Sequence, residues 1–202
     1  MIDRYGIEGA NSLLWSEFEF SFPGRSKLLE MRRETLSQGF SLIELLIVIA
    51  IILIIAAIAI PNFMRSKVAA NQASAVGSLR TLNTAEFNYA ATYDKGYSAT
   101  LGYLGPPPAG AAADITHAGI VDDVLSGTAA GGPAAMTSSK SGYIFTYSPG
   151  TIINGQIMTY TINADPISRG TTGTNSYYVD QSGVIRQNST TQASAADSPL
   201  AE

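Results

Sequence analysis

The chain has 202 residues, a formal net charge of −4 and no cysteine. A chain of this length accommodates one membrane-spanning helix and one small domain, rather than two large domains. The lack of cysteine excludes disulfide bonds, thiol catalysis and cysteine-ligated metal sites, and the slightly acidic balance gives no electrostatic reason to expect nucleic-acid binding.

The most informative segment is an almost unbroken apolar run between Gly39 and Pro61. About twenty apolar residues in a helix cover roughly 30 Å of hydrocarbon, so the run is long enough to cross a bilayer. It contains one carboxylate, Glu44, near its start. A charge inside such a run costs about 2.5 kcal/mol or more, and a simple anchor would have no reason to carry it. We therefore predict that Glu44 has a charged partner.

The residues before the run form a short basic leader, 31–39, that contains Arg32 and Arg33. Because positive residues stay on the cytoplasmic side, we expect the chain to insert with its C-terminus outside. An ordinary secretory signal is the alternative. It would require a small-residue cleavage site after the run, where a Pro-Asn-Phe-Met-Arg sequence stands instead. Residues 1–30 are either an over-extended upstream start, with Met31 as the true start, or a longer cytoplasmic leader.

Gly39, Phe40 and Glu44, with this leader before them and the Ile/Leu/Ala run after them, resemble the prepilin signature of type IV pilins and type II secretion pseudopilins. The resemblance is specific over residues 31–64 and general over the rest. It implies cleavage between Gly39 and Phe40, and N-methylation of Phe40 by a prepilin peptidase/N-methyltransferase. It also implies that Glu44 is an assembly residue that pairs with the amine of a neighbouring subunit.

Two further comparisons with that family concern Pro61 and the C-terminal region. Pro61 resembles the helix-kinking proline that many pilins carry at the end of the apolar segment. Many pilins also have a C-terminal disulfide loop, which this chain cannot form because it has no cysteine. We therefore expect its C-terminal region to be held by strand pairing and burial alone.

After residues 40–61, the transmembrane and assembly helix, the pattern predicts that the helix continues over residues 62–95. Apolar residues recur there at helical spacing opposite a polar face, which indicates an amphipathic helix whose one side packs on a sheet. They are Val68, Val76, Leu79, Leu82, Tyr89 and Tyr93. Asp94-Lys95-Gly96 is predicted to end the helix, with Gly96 as its cap.

The remaining chain divides into three parts by composition. Residues 96–141 form a Gly/Ala/Pro-rich loop, residues 142–188 an antiparallel sheet of three or four strands, and residues 189–202 a flexible tail. The predicted strands cover residues 143–147, 157–164, 176–180 and 184–186. The expected fold class is α+β, with a long N-terminal helix packed on a small C-terminal antiparallel sheet, as in the pilin fold.

No pattern in the chain indicates an enzyme, a cofactor or a metal site. The single histidine, His117, lacks a catalytic or metal-ligand arrangement around it. Asp114, Asp122 and Asp123 lie nearby, but their spacing fits no calcium loop, so we interpret them as solvated loop acids. Asn188 begins a glycosylation sequon of a kind that is frequent by chance.

The sequence thus predicts the precursor of a structural subunit of a type IV pilus. Its expected partners are other copies of the chain, the prepilin peptidase, an inner-membrane assembly platform and, before assembly, membrane lipid. The chain would reside in the inner membrane before assembly and in an extracellular filament afterwards. Two alternatives stay open: a pseudopilin of a type II secretion system, and a minor pilin that binds DNA or a receptor.

Overall fold

The computed structural model describes residues 39–200. The helices are α1 (Leu42–Tyr93) and α2 (Thr128–Gly131), with 3-10 turns at Leu101–Leu104 and Gly132–Ala134. The strands are β1 (Thr137–Lys140), β2 (Tyr143–Pro149), β3 (Ile152–Ile153), β4 (Gln156–Ile157), β5 (Tyr160–Pro166), β6 (Ser176–Asp180) and β7 (Arg186–Asn188). The predicted α+β class is confirmed. The predicted leader lies outside the described residues except for Gly39, and so does the proposed start at Met31.

The first part of α1 is apolar on all sides. Every leucine, isoleucine and valine side chain from Leu42 to Ile60 is exposed, over 46% to 81% of its surface. By length and composition this segment suffices to cross a bilayer. The helix runs through Pro61 without interruption, although the proline ring removes one backbone donor there. The predicted continuation of the helix beyond Pro61 is therefore confirmed.

The later part of α1 buries one face. The buried positions recur at intervals of three, four and seven residues, which places them on one side of a helix. They are Ala75, Ser78, Leu79, Leu82, Ala85, Glu86 and Tyr89. Val76 and Tyr93 pack against the same core at partial burial. The predicted amphipathic character of this part is confirmed. The buried face includes four residues outside the predicted stripe, the small residues Ala75, Ser78 and Ala85 and the carboxylic acid Glu86.

The end of α1 is fixed by a close approach of the chain to itself. Gly96 has a φ of +75°, and it forms a parallel bridge with Ile157 of β4. A Cβ at Gly96 would lie 2.2 Å from the backbone oxygen of Ile157. Only glycine fits both the left-handed backbone and this contact. The predicted cap at Gly96 is wrong, because the left-handed residue directly after the helix is Asp94, with a φ of +50°. Gly96 is needed instead for its contact with β4, which was not foreseen.

The main sheet has five antiparallel strands in the order β1-β2-β5-β6-β7. Alternate residues of its central strands point to the core that the sheet shares with α1, as the two-residue period of a strand requires. These inward residues are Tyr143, Phe145 and Tyr147 of β2, Tyr160, Ile162 and Ala164 of β5, and Tyr177 and Val179 of β6. Burial of these large side chains supplies the main stabilisation of the described fold.

Three parts of the sheet differ from the prediction. The last strand was predicted over residues 184–186 but lies at Arg186–Asn188, because its pairing with β6 runs from Ser176↔Asn188 to Tyr178↔Arg186. β1 lies in the segment predicted as loop, and it pairs with β2 from Thr137↔Thr146 to Lys140↔Tyr143. Its Thr-Ser-Ser-Lys sequence has no apolar alternation, so the strand exists because β2 offers a partner. The predicted strand 157–164 is divided, because Ile157 pairs in the small β3–β4 hairpin and β5 begins at Tyr160.

The segment after β7 also differs from the expected flexible tail. Ala193 is buried, and the backbone N–H of Leu200 donates to the carbonyl of Ile185 at 2.8 Å. The side-chain amide of Asn163 donates to the carbonyl of Ala193 at 2.7 Å. Up to residue 200 the segment therefore packs back onto the sheet, and small residues achieve this through hydrogen bonds rather than apolar burial.

Arg169 connects this segment to the loop after β5. Its Nη1 donates to the carbonyls of Thr174 at 2.6 Å and Ser189 at 3.0 Å. Its Nη2 donates to Ser176 Oγ at 2.6 Å and to the carbonyl of Thr191 at 3.0 Å. Strand pairing and burial are therefore not the whole restraint on the C-terminal region, contrary to the expectation from sequence. A planar guanidinium with a fixed fork of donors joins two loops.

We expect Arg169→Gln to lower the free energy of unfolding by about 2 kcal/mol. A hydrogen bond from a charged donor is worth roughly 1.5–3 kcal/mol, but Arg169 is exposed, so water replaces most of what its four bonds contribute. Amide hydrogen exchange should accelerate selectively in residues 189–200. Arg80→Gln is the matched control, since Arg80 is an exposed arginine on α1. Equal exchange in both variants would show that Arg169 does not hold the tail.

Candidate processing and assembly site

The residues predicted to be cleaved and methylated lie directly before α1. Gly39 and Phe40 have no regular secondary structure, and 79% of the Phe40 side chain is exposed. A Cβ placed on Gly39 would meet no other atom within 4 Å. The peptide bond between them is therefore accessible in the described chain, and nothing in the fold itself requires glycine at position 39.

The first turn of α1 is closed by a reciprocal pair of hydrogen bonds. The backbone N–H of Ser41 donates to Glu44 Oε2 at 2.9 Å. The backbone N–H of Ile43 donates to Ser41 Oγ at 3.4 Å. This is a capping box, in which a serine before the helix and a glutamate three residues later satisfy donors that the helix leaves free. The carboxylate also lies at the positive end of the helix dipole.

The structure brings Gly39, Phe40 and Glu44 together within one helical turn, and Pro61 is not part of this group. Cleavage after Gly39 would leave a positive amine on Phe40. Phe40 is next in sequence to Ser41, whose backbone N–H donates to the Glu44 carboxylate. A carboxylate in an apolar run is stabilised only if a charged or hydrogen-bonded partner is present. Glu44 has such a partner in the uncleaved chain, namely its own helix start.

Sequence reasoning missed this role of Glu44, although the signal was present. Ser41-Leu42-Ile43-Glu44 has the S-x-x-E spacing of a capping box and precedes an apolar run. The prediction considered the future amine as the partner of Glu44 and did not consider the backbone. The two roles are compatible, because the cap uses one carboxylate oxygen and leaves the other free for a cation.

A second carboxylic acid, Glu86, is fully buried in the later part of α1, with 0% of its surface exposed. Its Oε2 accepts from the backbone N–H of Ser98 at 2.9 Å, and its Oε1 lies 2.6 Å from Ser98 Oγ. Burial raises the pKa of the Glu86 carboxyl to about 7, although the hydrogen bonds from Ser98 lower it in part.

Both protonation states of Glu86 can be satisfied at this place. The ionised carboxylate accepts from the hydroxyl of Ser98. The protonated acid can donate to Ser98 Oγ, while that hydroxyl donates to the carbonyl of Thr100 at 2.9 Å. The phenol of Tyr147 donates to the carbonyl of Ser98 at 2.7 Å. The group therefore ties α1 to the segment before the first 3-10 turn and to β2.

The sequence contained a signal for Glu86 as well. It stands four residues after Leu82 and seven after Leu79, so it falls on the apolar face of the helix. A charged residue on such a face is informative, since glutamate is rarely buried without a partner. Its partner Ser98 lies beyond the helix end, and no local pattern connects the two residues.

The loop acids around His117 serve the local backbone. Asp114 Oδ1 accepts from the backbone N–H groups of Thr116 and His117, both at 2.8 Å. The hydrogen bonds from Thr116 hold the pKa of the Asp114 carboxyl below its usual range. Asp122 Oδ1 accepts from the backbone N–H of Leu125 at 2.7 Å, and Asp122 Oδ2 forms an ion pair with Lys140 Nζ at 3.4 Å. Within residues 39–200, no group of three or more His, Cys, Asp or Glu side chains could hold a metal ion.

The sequon at Asn188 is engaged in the packed segment after β7. The side-chain oxygen of Asn188 accepts from the backbone N–H groups of Thr190 and Thr191. Its amide nitrogen donates to Asp197 Oδ1 at 2.8 Å. Both ends of the side chain therefore have a structural use, and a glycan would replace one of the two hydrogens of the nitrogen that contacts Asp197.

Comparison with known proteins concerns the N-terminal segment. A family model described as the prokaryotic N-terminal methylation motif matches residues 36–60. The chain is similar to the type IV major pilin protein PilA of Myxococcus xanthus (strain DK1622), with 46% identity over 59 residues. These residues are 29% of this chain and 27% of that relative, so the likeness covers far less than two thirds of either. No solved structure matches the chain. By its methylation motif and this likeness, the N-terminal segment of the chain is similar to that of a type IV major pilin.

Proposed function

We propose that this chain is the precursor of a structural subunit of a type IV pilus. The observation that carries the proposal is the run of exposed apolar side chains from Leu42 to Ile60. Gly39 and Phe40 precede this run, Glu44 lies in its first turn, and all three stand within the methylation motif. Such a surface must be covered, since contact with water is unfavourable for every one of its side chains. Lipid covers it before assembly, and the helices of other copies cover it in the filament.

The order of events follows from the charges at the helix start. The chain inserts into the inner membrane with the leader in the cytoplasm and the sheet outside. The prepilin peptidase cuts between Gly39 and Phe40 and methylates the new amine. Glu44 then pairs with the amine of a neighbouring subunit, and this contact sets the stagger between copies at the assembly platform. Pro61 kinks the helix and weakens its hydrogen bonding locally.

Mass spectrometry of filaments sheared from intact cells tests this function. We expect an abundant mature chain whose first residue is N-methylated Phe40. The same terminus found in membranes but absent from sheared material would overturn the pilus assignment and support a pseudopilin of a type II secretion system. A mature terminus beyond Pro61 would mean that the apolar run is a secretory signal.

We expect Gly39→Val to block processing, so that uncleaved precursor accumulates in membranes and pili are absent. The fold has room for a side chain at position 39, because a Cβ there meets no atom within 4 Å. A block must therefore arise in the peptidase. Immunoblots of membrane fractions measure it, and Gly77→Ala is the matched control because position 77 is equally open. Normal cleavage of the Gly39→Val chain would contradict the assigned site.

A further inference from the structure

A groove of about 290 Å³ lies just beyond the apolar run of α1. It is lined by Met64, Arg65, Val68 and Ala69 of the helix and by Gly170 and Thr174 of the loop after β5. That loop is attached to the helix by two contacts. Asn71 Nδ2 donates to the carbonyl of Thr172 at 2.9 Å, and Thr174 Oγ1 lies 3.3 Å from Gln72 Oε1. The groove is therefore a formed feature of the fold.

The distance of this groove from the apolar run matches the thickness of a lipid headgroup layer. At roughly 1.5 Å per residue, Arg65 lies about 7 Å beyond Ile60 along the helix axis. A bilayer has a hydrocarbon core of roughly 30 Å and a total thickness of roughly 40–45 Å, which leaves about 5–8 Å for each headgroup layer. When Leu42 to Ile60 occupy the hydrocarbon, Arg65 lies among the phosphates.

The charges around the groove favour an anionic occupant. Between Glu44 and the buried Glu86, the helix carries Arg65, Lys67 and Arg80 and no acid. Arg65 and Lys67 are exposed, and within residues 39–200 neither forms an ion pair. The chain as a whole has a net charge of −4, so its surface at the membrane has the opposite sign to its overall charge.

The groove has an apolar side and a charged edge, as a phospholipid has apolar chains and a charged headgroup. Met64, Val68 and Ala69 give it an apolar side that continues the exposed apolar surface of α1, and Arg65 supplies a cation at its edge. Its volume lies at the lower end of the roughly 300–1,000 Å³ of small-molecule sites, so it suits a headgroup with the first carbons of its chains.

We propose that this groove binds the headgroup of an anionic phospholipid through Arg65, and seats the subunit in the bilayer before assembly. The inference rests on the membrane-inserted stage of the proposed function. It extends that function by assigning a lipid class and a binding place. Release of this lipid then accompanies the departure of the subunit from the membrane.

Native mass spectrometry of the mature chain in detergent micelles tests the proposal. Titration with phosphatidylglycerol should give a bound lipid that phosphatidylcholine does not give. Arg65→Gln should weaken phosphatidylglycerol binding roughly fivefold, from about 1 kcal/mol for one cation at an anionic membrane surface. Arg80→Gln is the control, since it removes an exposed cation of the same helix outside the groove. Ala69→Phe fills the groove without a change of charge and should also weaken binding.

Several results would overturn the proposal. Equal retention of phosphatidylglycerol and phosphatidylcholine would show that the groove does not select an anionic lipid. Equal weakening by Arg80→Gln would show that any cation of the helix, and not the groove, attracts the lipid. Unchanged binding by Ala69→Phe would remove the groove from the site. Lipid-independent dimers that Ala69→Phe abolishes would show that a second copy occupies it. Circular dichroism of each variant verifies its helix content. The measurement of lipid binding needs no filament. The absence of pili in wild-type cells would therefore contradict the pilus proposal without testing the lipid-binding proposal.

Discussion

Filaments should be lost when Glu44 is replaced by glutamine, although the leader is still removed. Glutamine three residues after Ser41 retains the capping box but has no charge to pair with the amine of another copy. An amine left unpaired in an apolar interface costs about 3–5 kcal/mol at each contact between subunits. Such a cost corresponds to a loss of more than about a hundredfold in each association step. The yield of sheared filaments measures the loss, and immunoblots of the mature chain verify the cleavage.

Ser41→Ala separates the two roles of Glu44. It removes the hydroxyl that accepts from Ile43 and leaves the Glu44 carboxylate in place. The loss of such a cap costs about 1 kcal/mol of helix stability, and we expect filaments to persist. If Ser41→Ala reduced filaments as strongly as Glu44→Gln, helix capping would explain the phenotype. Accumulation of uncleaved Glu44→Gln precursor would place the defect before assembly.

The second large effect concerns the buried acid of α1. We expect the free energy of unfolding to fall as the pH rises from about 5 to 8, by up to about 3 kcal/mol from Glu86 alone. Below its ordinary pKa of 4.5 Glu86 is neutral in the folded and the unfolded chain, so its stabilising contribution is complete. As the pH rises through about 7, the pKa of the buried carboxyl, the folded chain must also ionise it. The contribution is then lost.

Glu86→Gln should abolish this part of the pH dependence and raise stability at pH 8. The amide can accept from the backbone N–H of Ser98 and donate to its hydroxyl, as the protonated acid does. Thermal unfolding of the mature chain in detergent micelles, followed by the near-ultraviolet circular dichroism of its tyrosines, measures the effect. A change of this size corresponds to a shift of roughly 10 °C in Tm.

Asp123→Asn is the matched control for Glu86, because Asp123 is an exposed carboxylate. It should leave the pH dependence unchanged. Ser98→Ala should move the transition to higher pH, since hydrogen bonds from Ser98 lower the pKa of Glu86. A pH profile of the Glu86→Gln chain identical to that of the wild type would show that Glu86 does not govern stability in this range.

The elements that sequence alone predicted well are those whose pattern is local. The apolar run and the helical stripe specify α1 through Pro61, and the Ser-Tyr-Tyr-Val-Asp segment has the same bounds, 176–180, in prediction and structure. β1 could not be found in this way, because Thr137–Lys140 is polar and its pairing with β2 depends on the turn between them. A strand without its own apolar pattern is visible only through its partner.

The candidate site also has some residues that a local sequence pattern predicts and others that only distant contacts reveal. Gly39, Phe40 and Glu44 follow from a contiguous motif, and so does the capping box once its spacing is noticed. The connection of Glu86 to Ser98 and Tyr147 joins three elements that are distant in sequence. The groove beside Arg65 likewise requires the loop at Gly170 and Thr174, which is more than a hundred residues away along the chain. Contacts of this kind have no periodicity that a sequence could display.

The four hydrogen bonds of Arg169 also determine how the C-terminal segment responds to its surroundings. A disulfide would make that segment dependent on an oxidising compartment and on thiol-exchange enzymes for its formation. Hydrogen bonds from a guanidinium form and break reversibly in any redox state. The C-terminal segment of this protein therefore keeps its shape in the presence of reductants, and an unfolded chain can regain that segment without the repair of a covalent bond.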